Sequence, residues 1–279
     1  MDILHSDPHL LIINKPAKVL VVPGRPAAGA PVEDIKSIMA KSGKPVLIVH
    51  RLDKDTSGAL VLARTKEAHR GMCRLFERGQ VQKQYLALVW GNPPDSGRID
   101  IALHAARKSK MRPARSEEQD GITALTEYTV LCRTEEYALL AVYPHTGRQH
   151  QIRVHLKAIG HPIVGDRVYG KGTVLDGQQL GVECGSSERK GAGRVRRSGH
   201  EYCDLRLRLE PQKPASGADT IAPSIDRTAL HLNRMSFLHP ITDNPIHVIA
   251  PLPDDFKALL DAVFHRSDMA EILNENVFR

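Results

Sequence analysis

The chain has 279 residues, 41% of them apolar, which is a globular and not a disordered composition and leaves room for one large core or two small ones. Aromatic residues make up only 4%, so the core must come from Val, Leu, Ile and Ala. A formal net charge of +7 fits a polyanionic partner, because Lys and Arg release counterions when they neutralise phosphates, although charge alone fits a basic protein with no nucleic-acid role equally well.

The first 16 residues lack a basic start, and their apolar run is confined to residues 10–13, so they read as neither a signal peptide nor a membrane span. Short apolar runs rich in β-branched residues follow, with Pro or Gly between them. They predict strands at 10–15, 19–22, 46–51, 58–64, 81–90, 97–103, 124–133 and 137–143. Helices are predicted at 32–40, 65–78, 150–159 and 255–264. In the second, Thr65 can cap the start, Ala68, Met72, Leu75 and Phe76 share one face, and Gly79 is a stop. Strands in consecutive runs argue for an α+β fold with a mixed, largely antiparallel sheet and flanking helices. Residues 171–228 are rich in Gly, Ser, Arg and Pro, contain the basic run SERKGAGRVRR and offer one short strand at 203–209. They read as a flexible insertion within a single domain spanning 1–279: a surface loop, or alternatively an RNA-gripping arm. The four cysteines form no CxxC pair and fit a reducing compartment.

Three stretches concentrate polar chemistry. HRLDKDTSG (50–58) places two acids, two basic residues and two hydroxyls in a tight connection between apolar strands. Charge there costs free energy unless it is paired or faces a cleft. A carboxylate held near an arginine stays ionised and can act as a nucleophile, while a surface turn capped by Asp and Ser explains the same residues. PHTGRQHQIRVHLKAIGHPIVGDRVYG (144–170) crowds Arg148, His150, Arg153, His155 and Lys157 at a strand end and helix start. His150 and His155 are five apart with no HExxH glutamate, which is the wrong spacing for a metal. The arginine forks suit phosphate and carboxylate, so Arg148 and Arg153 are candidate binding residues. VQKQYLALVWG (81–91) puts Lys83, Tyr85 and Ala87 on one strand face. Tyr85 is either a core residue with a wet hydroxyl or a stacking platform for a planar base. No phosphate-binding glycine loop occurs, so no nucleotide cofactor is supported.

At these residues the chain resembles the RluA family of pseudouridine synthases. The resemblance is carried in order by NKPAKVLVVPGR, HRLDKDTSGALVLA, QKQYLALVWG, HTGRQHQIRVHLKAIGHPIVGDRVYG and ALHLNRMSFLHP, and covers nearly all of the chain outside 171–228. It implies an enzyme that isomerises uridine to pseudouridine in ribosomal or transfer RNA without a cofactor or metal. It implies Asp53 as the catalytic aspartate, Arg51 as the residue that enters the vacated helix stack, Tyr85 stacked on the uracil, and Arg153 paired with the catalytic carboxylate. The fold implied is a mixed sheet around an RNA-binding cleft. Nothing like an S4 domain precedes Asn14, as in the short members of the family, including the one that gives it its name. Lys18 stands where the first motif commonly has Gly, which puts that turn in question. A cytoplasmic monomer with an RNA partner and no membrane partner is expected.

Two other readings compete. Asp53-Lys54-Asp55-Thr56 also reads as the DxDxT of haloacid-dehalogenase phosphatases, although a strand and not a helix follows it. A non-catalytic RNA-binding module fits the charge and the basic insertion.

Overall fold

The computed structural model describes residues 1–23, 34–107, 110–115, 117–118, 120–170, 182–184 and 225–264. The basic run at 187–197, the expected strand at 203–209 and most of the expected insertion lie outside them.

Apolar alternation builds one sheet of eleven strands among the described residues. Its path starts with β1 (Ile3–Ser6), β2 (Leu10–Lys15) and β4 (Ser57–Ala63), with the two-residue β3 (Leu47–Ile48) pairing onto β4. It continues through β12 (Leu230–Leu238), β5 (Gln82–Trp90), β10 (Tyr137–Pro144), β9 (Leu125–Arg133), β6 (Ser96–Asp100) and β11 (Val182–Cys184), and β13 (Pro245–Ile249) pairs onto β12. Of these strand pairs only β4 with β12 is parallel, so the expected mixed, largely antiparallel α+β sheet is what forms. A separate hairpin joins β7 (Leu103–Ala106) and β8 (Lys110–Pro113).

The helices are α1 (Ile35–Lys41), α2 (Lys66–Glu77), α3 (Gln151–Ala158) and α4 (Asp254–Val263). In α2 the Thr65 side chain accepts from the Ala68 N–H, and Gly79 follows with a φ of 67°. Two large apolar clusters, and a small one around Leu103, Met111, Ala124, Val154 and Tyr169, form the core. One large cluster joins β2, β4, α1, α2 and β12; the other joins β5, β9, β10, α3 and α4. Tyr85 packs against both, so the middle of β5 marks the seam between them.

Two expected strands are shorter than the apolar pattern implies. The run at 19–22 supplies only an isolated bridge, Leu20 to Asp34. The run at 46–51 ends as a ladder at Ile48, and the His50 ring takes over by accepting the Val61 N–H through Nε2 at 3.0 Å. A side-chain acceptor there lets the backbone leave the sheet and turn toward the cleft. Gly58 shows why β4 can meet β12 so closely. Its φ is 121°, and a Cβ there would lie 2.3 Å from the Leu232 carbonyl oxygen.

Lys18 answers the question raised by the sequence. It adopts a φ of 66°, the conformation that the more usual glycine takes without strain, so the turn survives the departure. Its ammonium pairs with Asp226.

Candidate active site

The loop that carries Asp53 is fixed at both ends by its own sequence. Leu52 is buried, the Thr56 N–H donates to the Asp53 carbonyl at 3.2 Å, and Ser57 donates to His231 Nδ1 at 2.8 Å. The His231 Nε2–H is spent on the Ala250 carbonyl, so the ring is the neutral acceptor that Ser57 needs. Lys15, wholly buried, donates to the carbonyls of Pro16, Val19 and Lys54 at 2.7, 2.9 and 3.3 Å. Burial pulls the Lys15 ammonium down to about 7, against the charges of Asp55 and Asp53. Three carbonyl acceptors require three N–H donors, which only the ammonium form supplies.

Across the cleft, α3 presents Arg153. Its Nη1 donates to Asp53 Oδ2 at 2.7 Å. The other side of the fork is held by Asp166: Nε to Oδ2 at 2.7 Å and Nη2 to Oδ1 at 3.0 Å. Asp166 also accepts the N–H groups of Val168 and Tyr169 at 2.9 and 3.0 Å. Burial would raise the Asp166 carboxyl, but Arg153 and these N–H groups outweigh it and hold it below the usual range. Burial likewise works against the Arg153 charge, and the pairs with Asp166 and Asp53 push its guanidinium further up. Gly165 brings Asp166 into place, because a Cβ there would lie 2.1 Å from the Arg227 carbonyl oxygen. Arg153 also lies over the Tyr169 ring, with Cζ 4.9 Å from its centroid.

A cleft joins the expected residues: Arg51, Asp53, Tyr85, Arg148 and Arg153 all line it, together with Lys83 and His150. The Asp53 side chain is 25% exposed, enough for a ligand to reach it. Arg51 is exposed at the rim. Burial, and then the Asp53 charge, push the Tyr85 hydroxyl up, so it stays protonated. Burial pulls the Lys83 ammonium down to about 8. Arg148 lies exposed at the rim with its Nε tied to the Thr123 carbonyl at 3.1 Å, which leaves its two terminal nitrogens to meet a ligand as far as the described residues go.

The crowd of polar residues at 144–170 divides. His155 faces the core, where Nε2 meets the Ile101 carbonyl at 3.0 Å and Nδ1 meets Thr126 Oγ1 at 2.9 Å. Gln151 ties the approach to α3 by donating to the Leu125 carbonyl and Thr126 Oγ1 and accepting from Thr146 and the Arg148 N–H. Spacing singled out neither Asp166 nor Tyr169, and the site depends on both. Both stand in the quoted block, and an aspartate after a glycine and beside Arg167 is the signal that could have pointed to Asp166. Among the described residues no three His, Cys, Asp or Glu side chains gather as a metal site. No described helix is long and apolar enough to cross a membrane.

Comparison with known proteins bears on the family. The model of a family described as RNA pseudouridylate synthase matches residues 9–158. The ribosomal large subunit pseudouridine synthase D of Xylella fastidiosa is 32% identical over 279 aligned positions, covering 97% of this chain and 71% of that one. The dual-specificity RNA pseudouridine synthase RluA of Salmonella typhimurium is 39% identical over 175 positions, covering 62% of this chain and 78% of that one. The solved structure of human RNA pseudouridylate synthase domain containing 4 superposes with a TM-score of 0.63 at 28% identity, covering 94% of this chain and 92% of that one. The phosphatase and the inert RNA-binding module are thereby set aside: this chain belongs to the RNA pseudouridylate synthase family and is an isomerase of uridine in RNA.

Proposed function

We propose that the enzyme modifies large-subunit ribosomal RNA, with Asp53 as the carboxylate that reacts at the ribose of an everted uridine. The observation that carries this reading is the 2.7 Å contact between Arg153 Nη1 and Asp53 Oδ2 inside the cleft lined by Arg51 and Tyr85.

Isomerisation breaks the bond from N1 to C1′ and makes one from C5 to C1′, with C5 giving up its hydrogen to solvent and N1 taking one, so the base must turn while detached. A uridine in a stem has first to leave the stack, at a cost of about a few kcal/mol. Arg51 at the rim fills the vacated space, Tyr85 stacks on the uracil, and Arg148 meets backbone phosphate. Asp53 then attacks C1′ as a nucleophile, or stabilises the sugar while C2′ loses a proton to give a glycal. Arg153 aims the carboxylate and is itself aimed by Asp166. Substrate and product hold the same atoms, so the reaction calls for no cofactor.

The relatives that match nearly the whole chain are named for the large ribosomal subunit, which supports ribosomal RNA as the target. The higher identity to a dual-specificity enzyme over a shorter stretch supports transfer RNA as a second target and a subtype close to RluA. A cytoplasmic monomer completes the proposal. The test is tritium release from ribosomal and transfer RNA made with 5-tritiated uridine. Release from ribosomal RNA is expected. Release from transfer RNA alone, or from neither, overturns the target assignment.

A further inference from the structure

His150 stands at the head of α3, one helical turn before Arg153, in a left-handed conformation with φ 55° and ψ 16°. That backbone is uncommon for a residue with a Cβ, and such strain is held at sites where a side chain must point one way. The ring is tethered from behind. Its Nδ1 lies 2.7 Å from the Tyr169 hydroxyl, and that hydroxyl accepts the Met111 N–H at 2.9 Å. With one lone pair engaged by Met111, the buried hydroxyl satisfies its own hydrogen by donating it to His150 Nδ1. This fixes the tautomer: Nδ1 accepts, and Nε2 carries the hydrogen.

The Nε2–H therefore points into the cleft. It lies 3.8 Å from Asp53 Oδ2, near the carboxylate but beyond hydrogen-bond range. Burial pulls the imidazole down, against the Asp53 charge, which agrees with a neutral ring at neutral pH. A fixed donor with no hydrogen-bond partner among the described residues thus sits beside the Asp53 carboxylate.

We propose that His150 is a second substrate-contacting catalytic residue, whose Nε2–H donates to a nucleotide oxygen next to C1′. The ring oxygen O4′ is bonded to that carbon but is a poor acceptor as positive charge develops on C1′, which leaves two nearby oxygens, the ribose O2′ and the uracil O2. Both accept hydrogen bonds, and the uracil oxygen gains charge when the base detaches. Tyr169 is the positioning residue: it orients the imidazole from behind while supporting Arg153 with its ring face. This assignment rests on Asp53 being the reacting carboxylate.

The test is single-turnover kinetics with enzyme in saturating excess, on a synthetic stem-loop bearing the mapped target as uridine, 2′-deoxyuridine or 2-thiouridine. The substitution His150→Asn removes the ring and keeps a residue that tolerates the left-handed backbone. On uridine it is expected to slow turnover at least tenfold with RNA binding and melting temperature unchanged. On the analogue that lacks the contacted oxygen, wild type should fall to the rate of the variant, and the variant should fall no further. That pattern with 2′-deoxyuridine names O2′, and with 2-thiouridine names O2. Tyr169→Phe should show the same substrate dependence and add nothing in the His150→Asn background, which keeps the test decisive if His150→Asn folds poorly. A slowing under threefold, or losses that multiply on both analogues, overturns the role of His150. Asp53→Asn runs alongside: if it is inactive while the His150 losses multiply, only the role of His150 falls, and if it is active, the reading of the whole site falls.

Discussion

Asp166 is predicted to set the activity without touching RNA, and Asp166→Asn measures how much. The carboxylate has no exposed side-chain surface and accepts four hydrogen bonds, two from Arg153 and two from backbone N–H groups. An asparagine keeps one oxygen. If that oxygen takes the Oδ1 position, the new NH₂ faces the Arg153 Nε–H that now lies 2.7 Å from Oδ2, donor against donor. The loss is one charge-assisted hydrogen bond plus the counter-charge of a guanidinium whose side chain is only 7% exposed. Removing one partner of a buried pair costs about 3–5 kcal/mol, and the surviving oxygen keeps the expected cost near the lower end, about 3 kcal/mol. Arg153 then relaxes toward Asp53 and tilts the carboxylate, and a misplacement of about 1 Å can cost roughly a hundredfold in rate. Urea unfolding followed by circular dichroism reads the first number, and tritium release at saturating RNA reads the second. The pH dependence carries its own signature. The folded Asp166 carboxyl lies below its usual value of 3.8, so its stabilisation is complete above that pH and is lost as pH falls through the folded value. The gap between wild type and variant should therefore close in strong acid. A variant within about 1 kcal/mol of wild type with unchanged turnover would refute the support role of Asp166.

Three further outcomes follow from the same contacts. Lys15→Met should cost about 1–3 kcal/mol in urea unfolding and slow turnover, because it takes the donor from three carbonyls, one of them at Lys54 in the loop that carries Asp53; an unchanged unfolding midpoint would show that the ammonium is dispensable. Acid should destabilise the fold before the carboxylates titrate. His155 and His231 are buried, and burial pulls each down to about 4 from 6.5, so the unfolded chain takes up the extra protons and stability falls as pH drops from 6.5 toward 4. By pH 5 that is roughly 2 kcal/mol for each ring, and a flat melting temperature between pH 7 and 5 would contradict it. Gly58→Ala should cost more than about 3 kcal/mol, since the new methyl meets the Leu232 backbone at a φ that disfavours it; a soluble variant with an unchanged melting temperature would show that β4 and β12 can part at no cost.

How much of this could be read from sequence depends on whether the signal was local. The strand β2 and the capped helix α2 were legible because periodicity, cap and stop all agree within each segment. The residues that meet in the cleft were legible as motif blocks, and the structure brings Asp53 and Arg153 together across 100 residues of sequence. β12 was quoted as a block without being read as a strand. Its His231, Asn233 and Arg234 break the apolar pattern, and its strand character comes from pairing with β4, β5 and β13. The hairpin of β7 and β8 was missed for a similar reason: its sequence is basic and Pro-containing, with little apolar alternation. Lys15, Asp166 and Tyr169 act by supporting another residue, and spacing along the chain does not encode a contact of that kind. The roles of the histidines were least legible. His50, His155 and His231 supply neutral ring nitrogens to backbone or hydroxyl partners, a role that depends wholly on what the fold places beside them.

The measurement that bears most directly on the account is turnover by Asp53→Asn, alongside its affinity for the same RNA. Asparagine preserves size and leaves Arg153 held by Asp166, so the account predicts wild-type binding and melting temperature with no detectable tritium release. Release within tenfold of wild type would mean that the group reacting with the sugar is not the carboxylate of residue 53.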